Sequence, residues 1–148
     1  MTTTIGAALP GLLMSRLHER LETPRDIAVP ICTCDELGFP HPALLSYEEI
    51  FADAPSSLRL AVNGTSTTAN NLRRDGRVTL SFVDEHGAWY VKARASSADA
   101  PHATRNGVAV FPVAVVTVLA DVVDPSRESP ARIVHGIRFH RPSPSATP

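Results

Sequence analysis

The chain has 148 residues, of which 43% are hydrophobic and 20% charged, and its formal net charge is −1. That length suits one domain with a sizeable core, and the near-zero charge excludes a global field for nucleic acid or an anionic membrane. No run approaches the roughly 20 apolar residues of a membrane-spanning helix, and the N-terminus lacks the basic start and unbroken apolar block of a secretion signal. A cytoplasmic protein is therefore expected, with Cys32 and Cys34 as reduced thiols too close together to staple a fold.

The segment LPGLLMSRLHERLET sets Leu9, Leu12, Leu13, Leu17 and Leu21 on one helical stripe, with Arg16, Glu19 and Arg20 opposite and Pro24 as the stop. The pattern predicts an amphipathic helix within residues 1–24 that covers an open face or end of the fold. Its polar side mixes both charge signs, which does not suit a membrane surface. IAVPICTC and HPALLSY, joined by DELG, read as a hairpin. SYEE is a capping box and predicts one or two helical turns through Ala52.

SLRLAVN alternates Leu58, Leu60 and Val62 with Arg59, Ala61 and Asn63, the pattern of a strand with one buried face. ANNLRRDG reads as a short helix stopped by Gly76. RVTLSFVD and AWYVKARA, joined by DEHG, make the clearest hairpin. The β-branched run VAVFPVAVVTVLADVV contains Pro112, which predicts an edge position or a bulge. SPARIVHG has Ser129, Pro130 and Gly136 at the punctuation points of a short helix, and IRFHR can add a last strand.

These elements predict a mainly β domain over residues 1–141: a six-stranded antiparallel barrel with short peripheral helices, and a disordered proline-rich tail over residues 142–148. Strands and helices do not alternate as βαβ units, which argues against a parallel nucleotide-binding sheet. Barrel closure removes exposed strand edges.

The stretch NGTSTTANNL carries Thr65, Ser66, Thr67 and Thr68 immediately before a helix whose first N–H groups lack partners. Hydroxyls and free amides at a positive helix end form a cradle for a phosphate monoester, and Arg73 and Arg74 follow one turn later. The alternative is a simple N-cap, which accounts for one hydroxyl and not four. Cys32, Cys34 and His41 fall short of the four paired ligands of structural zinc, so no metal is expected. No nucleophile elbow, P-loop or dinucleotide fingerprint occurs, and no catalytic residue is assigned. Trp89 and Tyr90 lie on opposite faces of their strand, so one of them points away from the interior.

From Ile27 to Ala95 the order of hairpin, LRLAVN strand, hydroxyl-rich turn, NL helix, GRVTLSF strand and YVKARA strand resembles the pyridoxamine 5′-phosphate oxidase-like, FMN-binding split-barrel superfamily. The resemblance implies a homodimer with FMN in a groove between two split barrels. It places Leu44, Leu45 and Ser46 along the flavin ring and Val62 and Asn63 beside the ring or ribityl chain. It sets Ser66 on the phosphate with Thr65, Thr67, Thr68 and Asn71 beside it, and Trp89 near the flavin. Thr67 and Thr68 stand where the oxidases of this superfamily carry a lysine and an arginine, which leaves Arg73, Arg74 or Arg59 to supply charge. The oxidases' basic C-terminal substrate motif has no counterpart in GIRFHRPSPSATP.

Three functional readings follow. One is a flavin-dependent oxidoreductase of unknown substrate. Another is a non-catalytic dimeric module for a flavin, a haem or another planar cofactor, since one barrel hosts many activities. The last is a dimeric structural or regulatory domain whose groove stays empty. None of these readings involves nucleic acid or a membrane.

Overall fold

The structure is a computed structural model that describes residues 2–96, 102–103, 105–122, 126 and 132–142. Two-residue alternation of apolar side chains accounts for most of it. The strands are β1 (Thr3–Gly6), β2 (Ala28–Cys34), β3 (Pro40–Ser46), β4 (Ile50–Ala54), β5 (Ser57–Asn63), β6 (Arg77–Asp84), β7 (Gly87–Ala95), β8 (His102–Ala103) and β9 (Val108–Asp121). Each hydrogen-bonds to its neighbours in antiparallel fashion within one sheet, in the order β3-β2-β6-β7-β9-β5-β4. The short β1 and β8 add to free stretches of β9. The sheet curls into a half-barrel that stays open between its two end strands, β3 and β4.

Seven strands lie along this path where six were expected. The extra one is β4. Ser46 does form a capping-box contact, its backbone N–H donating to Glu49 Oε1 at 2.9 Å. The helix it opens is a single 3₁₀ turn, Tyr47–Glu49, and the chain extends again from Ile50. Ile50 and Ala52 are buried opposite Leu60 and Leu58 of β5, so pairing in the core overrides the local helix signal.

Pro112 sits on a central strand and not at an edge. On the β7 side of β9, pairing with β7 ends at Ala95↔Val113 and pairing with β8 begins at His102↔Val110. Pro112 occupies the gap, where no partner residue requires an N–H. The bulge in β9 lies further on, between Val115 and Thr117.

The N-terminal helix is shorter than expected. Helix α1 spans Gly11–Leu17, and Arg20 and Glu22 then take positive φ angles of 59° and 50°, which stop it. Leu9, Leu13 and Leu17 reach the core as expected, whereas Leu21 is exposed. Arg16, expected on the outer side, is buried because its guanidinium meets Asp84 at the end of β6. Helix α2 (Thr67–Arg74) packs at the other end of the same strand, against Thr33, which pairs with Val78. The two helices thus cover opposite ends of the half-barrel. Between them Leu58, Leu60, Leu80, Val91 and Val118 are fully buried, each contributing about 1.5–3 kcal/mol.

Gly76 closes α2 with φ of 86°, and a Cβ there would lie 2.6 Å from the Ala95 carbonyl oxygen. The helix expected at 129–136 begins outside the described residues; from Arg132 to Ile137 the chain is irregular. This segment runs across the sheet and forms one bridge, Ile27↔Arg138. The tail beyond Pro142 lies outside the described residues.

Candidate functional site

Ser66 is the N-cap of α2, with an extended backbone (φ −73°, ψ 158°). Its Oγ accepts from Ala69 N–H at 3.1 Å and donates to the Asn63 carbonyl at 2.6 Å, so this hydroxyl is committed to holding the turn. Thr65 is held likewise: its N–H and Oγ1 both donate to Asn63 Oδ1, at 3.0 and 2.9 Å. What remains open are the first two helical amides, Thr67 N–H and Thr68 N–H, and the hydroxyls of the same residues. Neither amide has a partner among the described residues. Thr67 is exposed and Thr68 is buried. The turn therefore offers a set of neutral donors at the positive end of a helix dipole, the arrangement that suits an anion.

No cation joins it. Arg73 donates to the Gly64 carbonyl at 2.8 Å and lies over the Phe111 ring. Arg74 binds the Cys34 carbonyl at 2.5 Å and Asn71 Oδ1 at 3.1 Å. Arg59 is paired with Asp53 at 2.9 Å. Arg74 and Arg59 are occupied elsewhere, and Arg73 is held on the turn's own Gly64 carbonyl.

Asn71 is buried, and its Nδ2 donates to Thr33 Oγ1 at 3.0 Å. With Arg74 on its oxygen, its side-chain amide ties α2 to β2. Val62 is buried at the end of β5, beside the exposed Asn63 that holds the turn. These residues form one cluster with Thr65, Ser66, Thr67 and Thr68.

The other expected positions lie apart. Leu45 pairs with Val29 of β2, four residues from Thr33, or about 13 Å along the strand. Leu45 and Ser46 are buried, with Ser46 Oγ donating to Glu49 at 3.0 Å, while Leu44 is 50% exposed on the outer face. Because β3 is a sheet edge, one row of its backbone groups is left for another partner. Trp89 faces inwards beside its cross-strand neighbour Phe82 and belongs to the core, so Tyr90 is the outward residue. Within one chain, the β3 residues and Trp89 do not meet the α2 turn.

No protein-family model matches the chain, and no curated protein matches it in sequence. Solved structures do share its architecture at low identity. The flavin reductase of styrene monooxygenase from Pseudomonas putida S12 matches with a TM-score of 0.53 and 10% identity, over 80% of this chain and 92% of that one. An FMN-binding protein from Syntrophomonas wolfei matches at 0.52 and 15%, over 65% and 78% of the two chains. A candidate pyridoxamine 5′-phosphate oxidase from Lactobacillus delbrueckii matches at 0.51 and 20%, over 62% and 83%. The fold shared with these structures is an open, split β-barrel.

The split barrel also carries features that the sequence reading passed over. Asp84, Glu85 and His86 bring possible metal-ligand atoms within 4.8 Å of one another, but Asp84 is already bound by Arg16 at 2.6 Å. On the outer face Arg77, Lys92 and Arg94 project from adjacent strands. The alternation along β6 and β7 could have found them, because each lies out of phase with Val78, Val91 and Ala93 of the core. No helix among the described residues is long and apolar enough to cross a membrane.

Proposed function

We propose that this split barrel binds FMN and acts as a cytoplasmic flavin-dependent oxidoreductase, with two copies of the chain enclosing the cofactor. The observation that carries the reading is the α2 turn. Its two unpartnered amides and the Thr67 and Thr68 hydroxyls would hold a phosphate monoester, in a fold shared with an FMN-binding protein and a flavin reductase. When bound, FMN supplies hydride or single-electron chemistry. The protein's part is to bind the phosphate, orient the ring and exclude water, which needs no acid–base triad. The separation of the β3 edge from the α2 turn within one chain favours a second copy completing the site.

The test is an absorbance spectrum of freshly purified protein, with the chromophore identified after acid release. A yellow protein that dithionite bleaches and air restores, releasing FMN, is expected, together with a dimer in sedimentation. Nicotinamide oxidation that depends on added FMN would establish turnover; its absence in a yellow protein leaves the non-catalytic module. A colourless protein that takes up no FMN sinks the proposal, and a haem band would replace flavin by haem.

A further inference from the structure

The outer face of the sheet holds a groove of about 370 Å³ whose lining includes Cys32, Cys34, Arg77, Lys92, Arg94 and Val116. That volume lies in the range of small-molecule sites, roughly 300–1,000 Å³. Its charge is unusual for a chain of net charge −1. Arg77 and Arg94 are direct cross-strand partners, and Lys92, the chain's only lysine, stands opposite Thr79 one rung pair along. Like charges set directly opposite on one face destabilise a sheet. Asp75 offsets only Arg77, gripping it at 2.7 and 2.8 Å. Lys92 and Arg94 are exposed and have no ion-pair partner among the described residues. The lining to either side of these cations is small and largely apolar: the Cys32 and Cys34 side chains on β2, with Pro40 beyond them on β3, and Val116 on β9. Arg77 Nη2 reaches Cys34 Sγ at 3.6 Å.

We propose that this groove is a binding site for a small organic anion, a phosphate or carboxylate carried on an aromatic body of one or two rings. The ring would lie across Thr79 against the Cys32 and Cys34 side chains, with its anionic group between Lys92 and Arg94. Charge complementarity selects the anion, because occupation offsets the Lys92 and Arg94 charges, which no ion pair among the described residues neutralises. This inference does not rest on the FMN reading: α2 touches the groove only through Asn71 on Thr33 and Arg74 on the Cys34 carbonyl, and the Thr67 and Thr68 donors are not among the residues that line it.

The two thiols make the test direct, since both line the groove and are the chain's only cysteines. Alkylation of Cys32 and Cys34 by iodoacetamide is followed by mass spectrometry on the full chain, with phenyl phosphate as probe and phenol or inorganic phosphate as controls. At a probe concentration about nine times its Kd, alkylation slows about tenfold; phenol gives no protection, and inorganic phosphate gives less. The double variant Lys92→Ala/Arg94→Ala, which keeps the Arg77–Asp75 pair, weakens protection at least about tenfold, with an unchanged circular dichroism spectrum showing that it folds. No protection by millimolar phenyl phosphate overturns the proposal, as does equal protection in the variant. Alkylation that slows with protein concentration instead of probe means that a second copy covers the groove, and also overturns it. FMN that protects both thiols and leaves phenyl phosphate nothing to add would make this the flavin's own site and end the claim of a separate one. A protein that binds no FMN leaves the phenyl phosphate result fully readable.

Discussion

Arg16 on α1 donates to Asp84 at the end of β6 across 2.6 Å, and both side chains are almost sealed from water, at 8% and 3% exposed. Arg16 also donates to Tyr47 Oη at 3.1 Å, and Tyr47 in turn packs on Phe82 with ring centroids 5.6 Å apart. One guanidinium thus anchors the terminal helix to both the 3₁₀ turn before β4 and the β6–β7 turn. Removing one partner of a buried pair strands the other, which costs about 3–5 kcal/mol. Arg16→Ala is expected to lose that much in urea unfolding. The paired apolar change Arg16→Met/Asp84→Leu should recover most of it. A double variant as unstable as the single one would mean that the charges themselves, and not the burial of an orphan, hold α1.

The same pair sets an acid limit on stability. Burial alone would push the Asp84 carboxyl up, but hydrogen bonds from Arg16 and the His86 N–H, with the charge of the guanidinium, outweigh it and hold its pKa below the usual carboxylate range. A depressed folded-state pKa contributes stability that is present above the unfolded value, near 3.9, and is lost as pH falls through the folded one. Unfolding midpoints should therefore drop below about pH 4. In Asp84→Asn that drop should flatten, from a lower plateau at neutral pH. Parallel pH profiles for the two proteins would show that other carboxylates carry the acid sensitivity.

The strands were legible because alternation reports directly on burial: Leu58, Leu60 and Val62, or Val78, Leu80 and Phe82, need no knowledge of their partners. Local signals failed where a distant partner decided the outcome. The capping box at Ser46 is real, yet Ile50 and Ala52 pair with β5 because the core beneath β5 has room for them. Arg16 reads as a polar-face residue until Asp84, 68 positions away, is placed beside it. At the site, the hydroxyl-rich turn and its helix could be read from the sequence. That Ser66 and Thr65 spend their hydrogen bonds on Asn63 could not, because such bonds depend on backbone geometry.

That division of labour in the turn separates capping from phosphate binding. Ser66→Ala should cost about 0.5–2 kcal/mol through the lost cap, and any loss of FMN would then be ambiguous. Ser66→Asp keeps an acceptor for Ala69 N–H while placing a carboxylate beside the Thr67 and Thr68 amides. Its stability should stay within about 1 kcal/mol of the parent, whereas FMN retention, read by fluorescence quenching, should disappear by repulsion. Undiminished FMN binding in a folded Ser66→Asp protein would place the phosphate somewhere else.

Asn71 and Thr33 form a buried polar link between α2 and β2, at 3.0 Å. Asn71→Ala removes the donor and frees Arg74 from one of its two acceptors, so a loss of about 1–3 kcal/mol is expected. Thr33→Val alone leaves the Asn71 amide unsatisfied and should cost a similar amount. If the link is one interaction, the double variant is less destabilised than the sum of the singles, with a coupling of about 0.5–3 kcal/mol. Strict additivity in chemical denaturation would show that the two side chains act independently.

Gly136 lies so close to β6 that a Cβ at this position would sit 2.2 Å from the Val83 carbonyl oxygen. The segment around it is fastened by few bonds: Ala28 N–H to the Ile137 carbonyl and Phe139 N–H to the Asp26 carbonyl, both at 2.7 Å, and Arg138 to Asp26 at 2.8 Å. Gly136→Ala therefore has two ways to respond. It can strain the β6 backbone, or it can release the segment and forfeit those bonds. Two backbone hydrogen bonds at about 0.5–1.5 kcal/mol each and an exposed ion pair at no more than about 1 kcal/mol are a smaller loss than a Cβ driven 2.2 Å from a backbone oxygen. That is a closer clash than the overpacking that costs about 1–3 kcal/mol, so release is the cheaper course. Hydrogen exchange should then show the amides of Ala28 and Phe139 opening early, with Leu80 and Val91 still exchanging only through global unfolding. If all four amides instead accelerate together, β6 has absorbed the clash, and the C-terminal segment belongs to the cooperative core of the barrel.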